Sequence, residues 1–506
     1  MSYTHHLGVV AGGHPVTARA GADALRQGGN AVDAAIAAVL ASFVCEPLLS
    51  ALGAGGYMLI SQGRRPPVLL DFFVEAPGRG GDPDRRAELV PVSVSFGDAI
   101  QVFNIGAASV GTYGVPAGLC AASERFGRLP LSALVAPAAE LARTGVELTP
   151  AQAYVFEILT DIVRATPEAA ALFAPTGEVP RAGEKVCQPE LADALELLGE
   201  QGADPFYTGA IGQAIVEWVA ERGGMLTEED LAAYRVLDRE PVRASYRGRE
   251  VLTNPPPSAG GILIAHALAL LEADEGSADV ERIVRAMERT QAERTPEFLK
   301  SLDDPGFVER FLRRTPPGGH GTTRSTRLGS TTHVAVLDGE GSACSVTCSN
   351  GSCSGVVVPG TGVHLNNMLG EQDLNPLGFH RHPPGRRLPS MMAPTIVLRD
   401  GRPELVLGSA GSNRIRSAIL QTIIRVLDQR LRAGDAVQAP RVHFEDGIVY
   451  AEPGIDTTTL EAAGRAIARF RERNLFFGGV QAVERDADGA FWGGGDPRRG
   501  GDAIVV

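Results

Sequence analysis

Residues 31–44, AVDAAIAAVLASFV, cannot lie on a protein surface as a helix. Their apolar side chains cover nearly every side instead of keeping to one stripe, and a surface helix needs a polar face. Asn30 stands where a helix N-cap is expected, so the stretch predicts a capped helix packed between two layers. The longest apolar tract here, Ala34 to Cys45, is well short of the ~20 residues that span a bilayer. A layered fold follows, with this helix inside it.

The neighbours extend the pattern. Thr17 to Gln27 has helical spacing and stops at Gly28-Gly29, while GAGGYMLI after Glu46-Pro47 turns into a strand. From about residue 118 to 300 the chain reads mostly as amphipathic helices, including LSALVAPAAELARTG, ELADALELLGEQG and GQAIVEWVAERGG. NPPPSAGG (254–261) interrupts them, because three prolines prevent regular structure before the helix ILIAHALALLE. Residues 313–330 have no periodicity and much Gly, Pro, Ser and Thr, which predicts a long exposed or mobile segment. From Thr331 onward strands dominate, in THVAVLDG, SACSVTCS, APTIVLRDG and PELVLGS, with the helix IRSAILQTIIRVLDQRL after GSAGSNR. The join at 330/331 is the sharpest change of character in the chain.

Length allows either two or three domains or one large α/β unit, since 506 residues can bury a large core. A net charge of -13 without a Lys/Arg block argues against nucleic acid or an anionic membrane as the main partner, and leaves a small-molecule or peptide substrate open. Six cysteines, none in CxxC spacing, read as reduced thiols of a cytoplasmic protein, and no export signal is seen at the start.

The strand after the join opens on Thr331-Thr332-His333. Threonine suits a strand, and His333 can simply face a polar layer. A threonine hydroxyl can also be a nucleophile when a base takes its proton, and an N-terminal threonine carries that base as its own amine, with a pKa of roughly 7.7–8.0. An internal Thr331 would first have to be released by a cut before it, through an N-to-O acyl shift at the end of the Gly-rich segment.

Motifs along the whole chain bear on this choice. HPVTARAGADALRQGGNAVDAAIAAVLASFVCEP (14–47), YGVPAGL (113–119), RLPLSALVAPAAELARTG (128–145), PFYTGAIGQAIV (205–216), GGMLTEEDLAAYRV (223–236) and PPPSAGG (255–261) are followed by STTHVAVLD, GTGVHLNN (360–367), APTIVL, APRVH and DPR. In this order they resemble the γ-glutamyltransferase family of N-terminal nucleophile hydrolases. The resemblance implies an α+β fold, a four-layer αββα sandwich, with self-cleavage between Ser330 and Thr331. Residues 1–330 would form the large-subunit region and 331–506 the small one, associated as one structural unit. Thr331 would be nucleophile and amine base, with Thr332 pointing to the opposite side of the strand. No cofactor or metal is implied, and a homo-oligomer is open.

Other positions follow from the same resemblance. Ser349 aligns with a supporting threonine, Asn350 with an amino-group-binding asparagine, and Gly411-Ser412 with a two-glycine oxyanion hole that needs only backbone N–H groups. The glutamyl pocket departs from the family pattern. Phe73 stands where an arginine binds the substrate α-carboxylate, Ser390-Met391 replace two serines on the same carboxylate, and Met368 and Glu371 replace the Gln and Asp that hold the α-amine. Arg79, Arg386, Arg387 and Arg414 are candidate replacement cations. The expected activity is γ-glutamyltransferase-like amide acyl transfer to water or an amine, beside an acylase or small-amide hydrolase of the same fold and an inactive binding scaffold. His380 and His382 lack a nearby Asp/Glu/Cys set for a metal, His5-His6 read as a flexible terminus, and neither GAGGYM nor GSAGSN completes a phosphate-binding pattern.

Overall fold

The helix that the sequence places between layers spans Ala31–Cys45, and every residue in it is buried. Asn30 caps it in a reciprocal box: its Oδ1 accepts from the amides of Val32 (2.8 Å) and Asp33 (3.1 Å), and Asp33 Oδ2 accepts from the Asn30 amide at 2.8 Å. In the computed structural model, which describes residues 6–82, 87–95, 100–274, 276, 278–313, 331–375 and 378–506, this helix packs on Pro15–Arg26 and Leu131–Thr144. Its other side lies on the strands Thr332–Asp338 and Ala343–Ser349. Helices outside it and a sheet beneath it remove its need for a polar face.

Those strands belong to a seven-stranded sheet with the order Asp502–Val505, Gly8–Gly12, Thr332–Asp338, Ala343–Ser349, Gly55–Ser61, Val68–Phe72, Leu237–Arg239. A second, six-stranded sheet runs Phe491–Gly494, Gly479–Arg485, Arg402–Ala410, Thr395–Arg399, Arg249–Thr253, Val242–Tyr246. The two sheets face each other through Thr332–Asp338 and Ala343–Ser349 on one and Arg402–Ala410 on the other, and Gly260–Ala273 with Arg414–Leu427 cover the far side. This is the expected αββα sandwich, a mixed helix and sheet architecture. The expected helices at 131–144, 189–201, 210–221 and 260–273 are present.

Two differences stand out. The mostly helical middle contains a hairpin, Val242–Tyr246 with Arg249–Thr253, whose Arg and Glu side chains mask its period of two, and whose first strand is a sheet edge with alternating exposure. Of the segment 313–330, Arg313 closes the helix Phe307–Arg313, and 314–330 lie outside the described residues, as does His5.

Alternation along Thr332–Asp338 decides what each residue meets. Val334 and Val336 join the core under the helices, whereas Ala335 and Leu337 join the core between the sheets, with Leu405 and Leu407 of the facing strand. His333 therefore points between the sheets, and Gly408 makes room for it, since a Cβ there would come 2.3 Å from the ring. The strand ladder pairs Thr332 with Cys348 and His333 with Thr347, which places Thr331 beside Ser349 at the open end.

Candidate active site

Thr331 lies at the entry to its strand, and its Oγ1 donates to Ser349 Oγ at 3.1 Å. Ser349 Oγ also accepts from the Gly351 amide at 3.2 Å. Both hydroxyl residues are about 95% buried, with 4% and 5% exposure, so water competes little for this pair. Thr332 faces the other way, as the alternation requires, and its Oγ1 donates to Glu46 Oε2 at 2.7 Å. Thr17 Oγ1 donates to Glu46 Oε1 at 3.0 Å. Burial raises the Glu46 pKa from 4.5 to about 7, against the lowering by the two hydroxyls and Arg499.

His333 is no base for Thr331. Its Nδ1 contacts Thr347 Oγ1 at 2.8 Å, and burial lowers its pKa to about 3, which keeps the ring neutral. A base for Thr331 is available within the residue itself only if its amine is free. Ser330, the other half of the expected cleavage site, lies outside the described residues.

A small cleft opens at Thr331 and Ser349. Of the residues expected from sequence, Phe73, Met368, Glu371, Ser390, Met391 and Ser412 line it too. Gly411 and Asn350 do not: Asn350 is fully buried, and its Nδ2 points at the Leu365 carbonyl, 3.4 Å away. Asp373, Leu374, Met392 and Ile415 also line the cleft and had no sequence signal beyond proximity to Glu371, Met391 and the helix that follows GSAGSN. Glu46 had a signal: a carboxylate at the end of an all-apolar helix is either paired or displaced.

Phe73 is buried and stacks on Tyr57 with ring centroids 5.2 Å apart. The four candidate arginines pair with carboxylates outside the cleft. Arg387 Nη1 donates to the Phe73 carbonyl at 2.8 Å, and its guanidinium pairs with Asp71 at 3.2 Å and Glu75 at 3.1 Å. Arg79 pairs with Glu75 at 3.0 Å, Arg386 with Asp303, and Arg414 with Glu445 at 3.8 Å. None of the four candidate arginines lines the cleft. His380 and His382 hydrogen-bond backbone carbonyls of Ala108 (2.9 Å) and Leu374 (3.2 Å).

Across from Thr331, the strand Arg402–Ala410 ends and the helix Arg414–Leu427 begins. Gly411 at φ 120° and Ser412 at φ 50° turn the chain between them, and their carbonyls accept the amides of Arg414 (3.0 Å) and Ile415 (3.1 Å). With those carbonyls turned into the helix, the turn can present N–H groups to a negative oxygen. Gly411 is required where it is, since a Cβ would come 2.9 Å from the Gly478 Cα. The arrangement suits acyl transfer: a paired hydroxyl, a cleft beside it and a backbone turn at a helix start.

The pattern describing the Gamma-glutamyltranspeptidase family matches residues 17–506. The chain belongs to that family. The gamma-glutamyltranspeptidase relatives include the glutathione hydrolase proenzyme of Escherichia coli (strain K12), 32% identical over 551 residues that cover 97% of this chain and 90% of that protein. The Acylase ACY 1 proenzyme of Pseudomonas sp. (strain SE83) is equally similar, 32% identical over 535 residues covering 99% of this chain and 93% of that protein. Among solved structures, a cephalosporin acylase from Bacillus halodurans superposes with a TM-score of 0.83 at 27% identity, covering 99% of this chain and 96% of that one. The family thus includes both hydrolases named for glutathione and acylases, and both kinds of sequence relative are named as proenzymes. Among the described residues no helix is long and apolar enough to cross a membrane.

Proposed function

We propose that this member of the gamma-glutamyltranspeptidase family cuts itself between Ser330 and Thr331 and then transfers acyl groups from small amides or peptides to water or an amine. In the cut, Thr331 Oγ1 attacks the Ser330 carbonyl carbon, the peptide bond becomes an ester, and water hydrolyses it. Residues 1–330 and 331–506 remain associated, and Thr331 gains a free amine. In turnover that amine takes the Oγ1 proton as the hydroxyl attacks the amide carbon. Ser349 holds Oγ1 in line, while the amides of Gly411 and Ser412 receive the developing oxyanion. The C–N bond breaks, the proton passes to the leaving amine, and an acyl ester remains on Thr331. Attack by water or a second amine releases the acyl group and restores the hydroxyl. The observation that carries this reading is the 3.1 Å Thr331–Ser349 hydroxyl pair at the mouth of the cleft.

For the acyl group, an acylase reading is favoured over strict γ-glutamyl specificity. An α-carboxylate placed beside Phe73 would meet a stacked aromatic pair, with Arg387 already held by Asp71 and Glu75. Burying a carboxylate without its cation costs on the order of several kcal/mol. The six cysteines, all free thiols, fit the reduced compartment that a cytoplasmic enzyme would occupy. Denaturing electrophoresis and peptide mapping of protein incubated with an acyl p-nitroanilide test the reaction. Two fragments with the acyl mass on Thr331 are expected. A folded chain that never cuts would leave only the inactive-scaffold reading.

A further inference from the structure

Ser412 holds a backbone conformation that costs a residue with a Cβ, at φ 50° in the left-handed region. Three other non-glycine residues at such angles have a local reason. Arg247, Asp400 and Asp446 each precede a glycine in a two-residue turn between antiparallel strands, where positive φ matches the strand twist. Ser412 lies instead between a strand and a helix. A different contact holds it: its Oγ donates to Asp373 Oδ2 at 2.6 Å, a short bond to a carboxylate.

Both residues line the cleft, and they come from segments 39 residues apart in the chain. Asp373 belongs to the segment that also carries Met368 and Glu371, and Ser412 to the turn facing Thr331. The side chain of Asn413, at the helix start, makes no capping bond; it accepts from Arg294 Nη1 at 3.2 Å and donates to Glu445 Oε1 at 2.9 Å. We propose that Asp373 is a positioning residue that latches Ser412 in its left-handed conformation and so keeps the Gly411 and Ser412 amides aimed at the reacting carbonyl. This rests on the reading that those amides receive the oxyanion.

Acetylation of the processed enzyme by p-nitrophenyl acetate tests the latch, because an acetyl group is too short to engage the rest of the acyl cleft. The p-nitrophenolate burst gives the acylation rate and the half-saturating concentration, and the mass of the 331–506 fragment locates the acetyl group. Asp373→Ala and Ser412→Ala should each slow acylation about tenfold or more with little change in half-saturation, as misaligned oxyanion donors would. The double variant Asp373→Ala/Ser412→Gly should regain most of the lost rate, since glycine adopts positive φ without a latch. Fragment formation and the thermal midpoint report that each variant folds. An unchanged rate in Asp373→Ala overturns the latch, and so does a loss that glycine does not relieve or that appears as weaker saturation, which would mark a direct contact with the acyl donor. Failure of the wild-type enzyme to acetylate Thr331 overturns the underlying acyl-transfer reading itself.

Discussion

Two groups of residues that line the cleft, Thr331 with Ser349 as its strand wall and Phe73 with Met368 and Met391 as its acyl wall, are fixed by different things. The hydroxyl pair follows from strand register: once Thr332 sits opposite Cys348 and His333 opposite Thr347, Thr331 comes beside Ser349. The acyl wall follows from the choice of side chain, and there an aromatic ring, Phe73, stacks on Tyr57. Backbone geometry can keep a bond-breaking apparatus while single substitutions change what enters it. The two walls therefore answer to different perturbations.

The strand wall should fail completely when Thr331, its proposed nucleophile, is removed. Thr331→Ala should leave one uncut chain of 53.1 kDa on a denaturing gel and lower turnover of any amide by about 10⁴-fold or more. Residual cutting at the same bond would remove Thr331 from the account.

Support beneath the strand should be visible in stability. Glu46, under Thr332, has its pKa raised to about 7 in the fold, so the folded chain holds that proton more tightly than the unfolded one. Its contribution is therefore greatest below about pH 4.5 and is lost as pH rises toward 7, by on the order of 3 kcal/mol. Urea denaturation of the uncut Thr331→Ala chain, with and without Glu46→Gln, should show this pH-dependent gap between the two proteins. A gap that stays flat from pH 4.5 to 8 would contradict it.

Between the sheets, Gly408→Ala should cost about 2 kcal/mol, because the added methyl would overlap the buried His333 ring. The same denaturation experiment reads it, and a neutral result would mean that His333 is free to move.

Much of this was legible in the sequence, for physical reasons that differ from place to place. The Ala31–Cys45 helix and its Asn30 cap show because composition on all sides and a capping residue are local signals. The alternation of Thr332–Asp338 likewise tells which residues share a face. The Val242–Tyr246 hairpin was hidden because an edge strand exposes charged side chains that blur its period. In the site, Phe73 was visible as a departure, but the neutralisation of Arg387 by Asp71 and Glu75 depends on packing between distant segments. Asp373 was missed for the same reason, since nothing in a loop sequence marks a contact with Ser412, 39 residues away. Asn350 was expected in the pocket and instead faces the Leu365 carbonyl.

The relation between the two walls can be measured with one pair of substrates. The processed enzyme is given γ-glutamyl-p-nitroanilide and pentanoyl-p-nitroanilide, which differ in the α-carboxylate and α-amine, and kcat/KM is compared. An intact nucleophile strand serving a pocket without a free cation predicts Thr331-dependent cleavage of both, with the γ-glutamyl compound slower by about tenfold or more. Thr331-dependent cleavage that favours the γ-glutamyl compound by a similar factor would contradict the account, and would mean that a cation reaches the α-carboxylate despite Phe73.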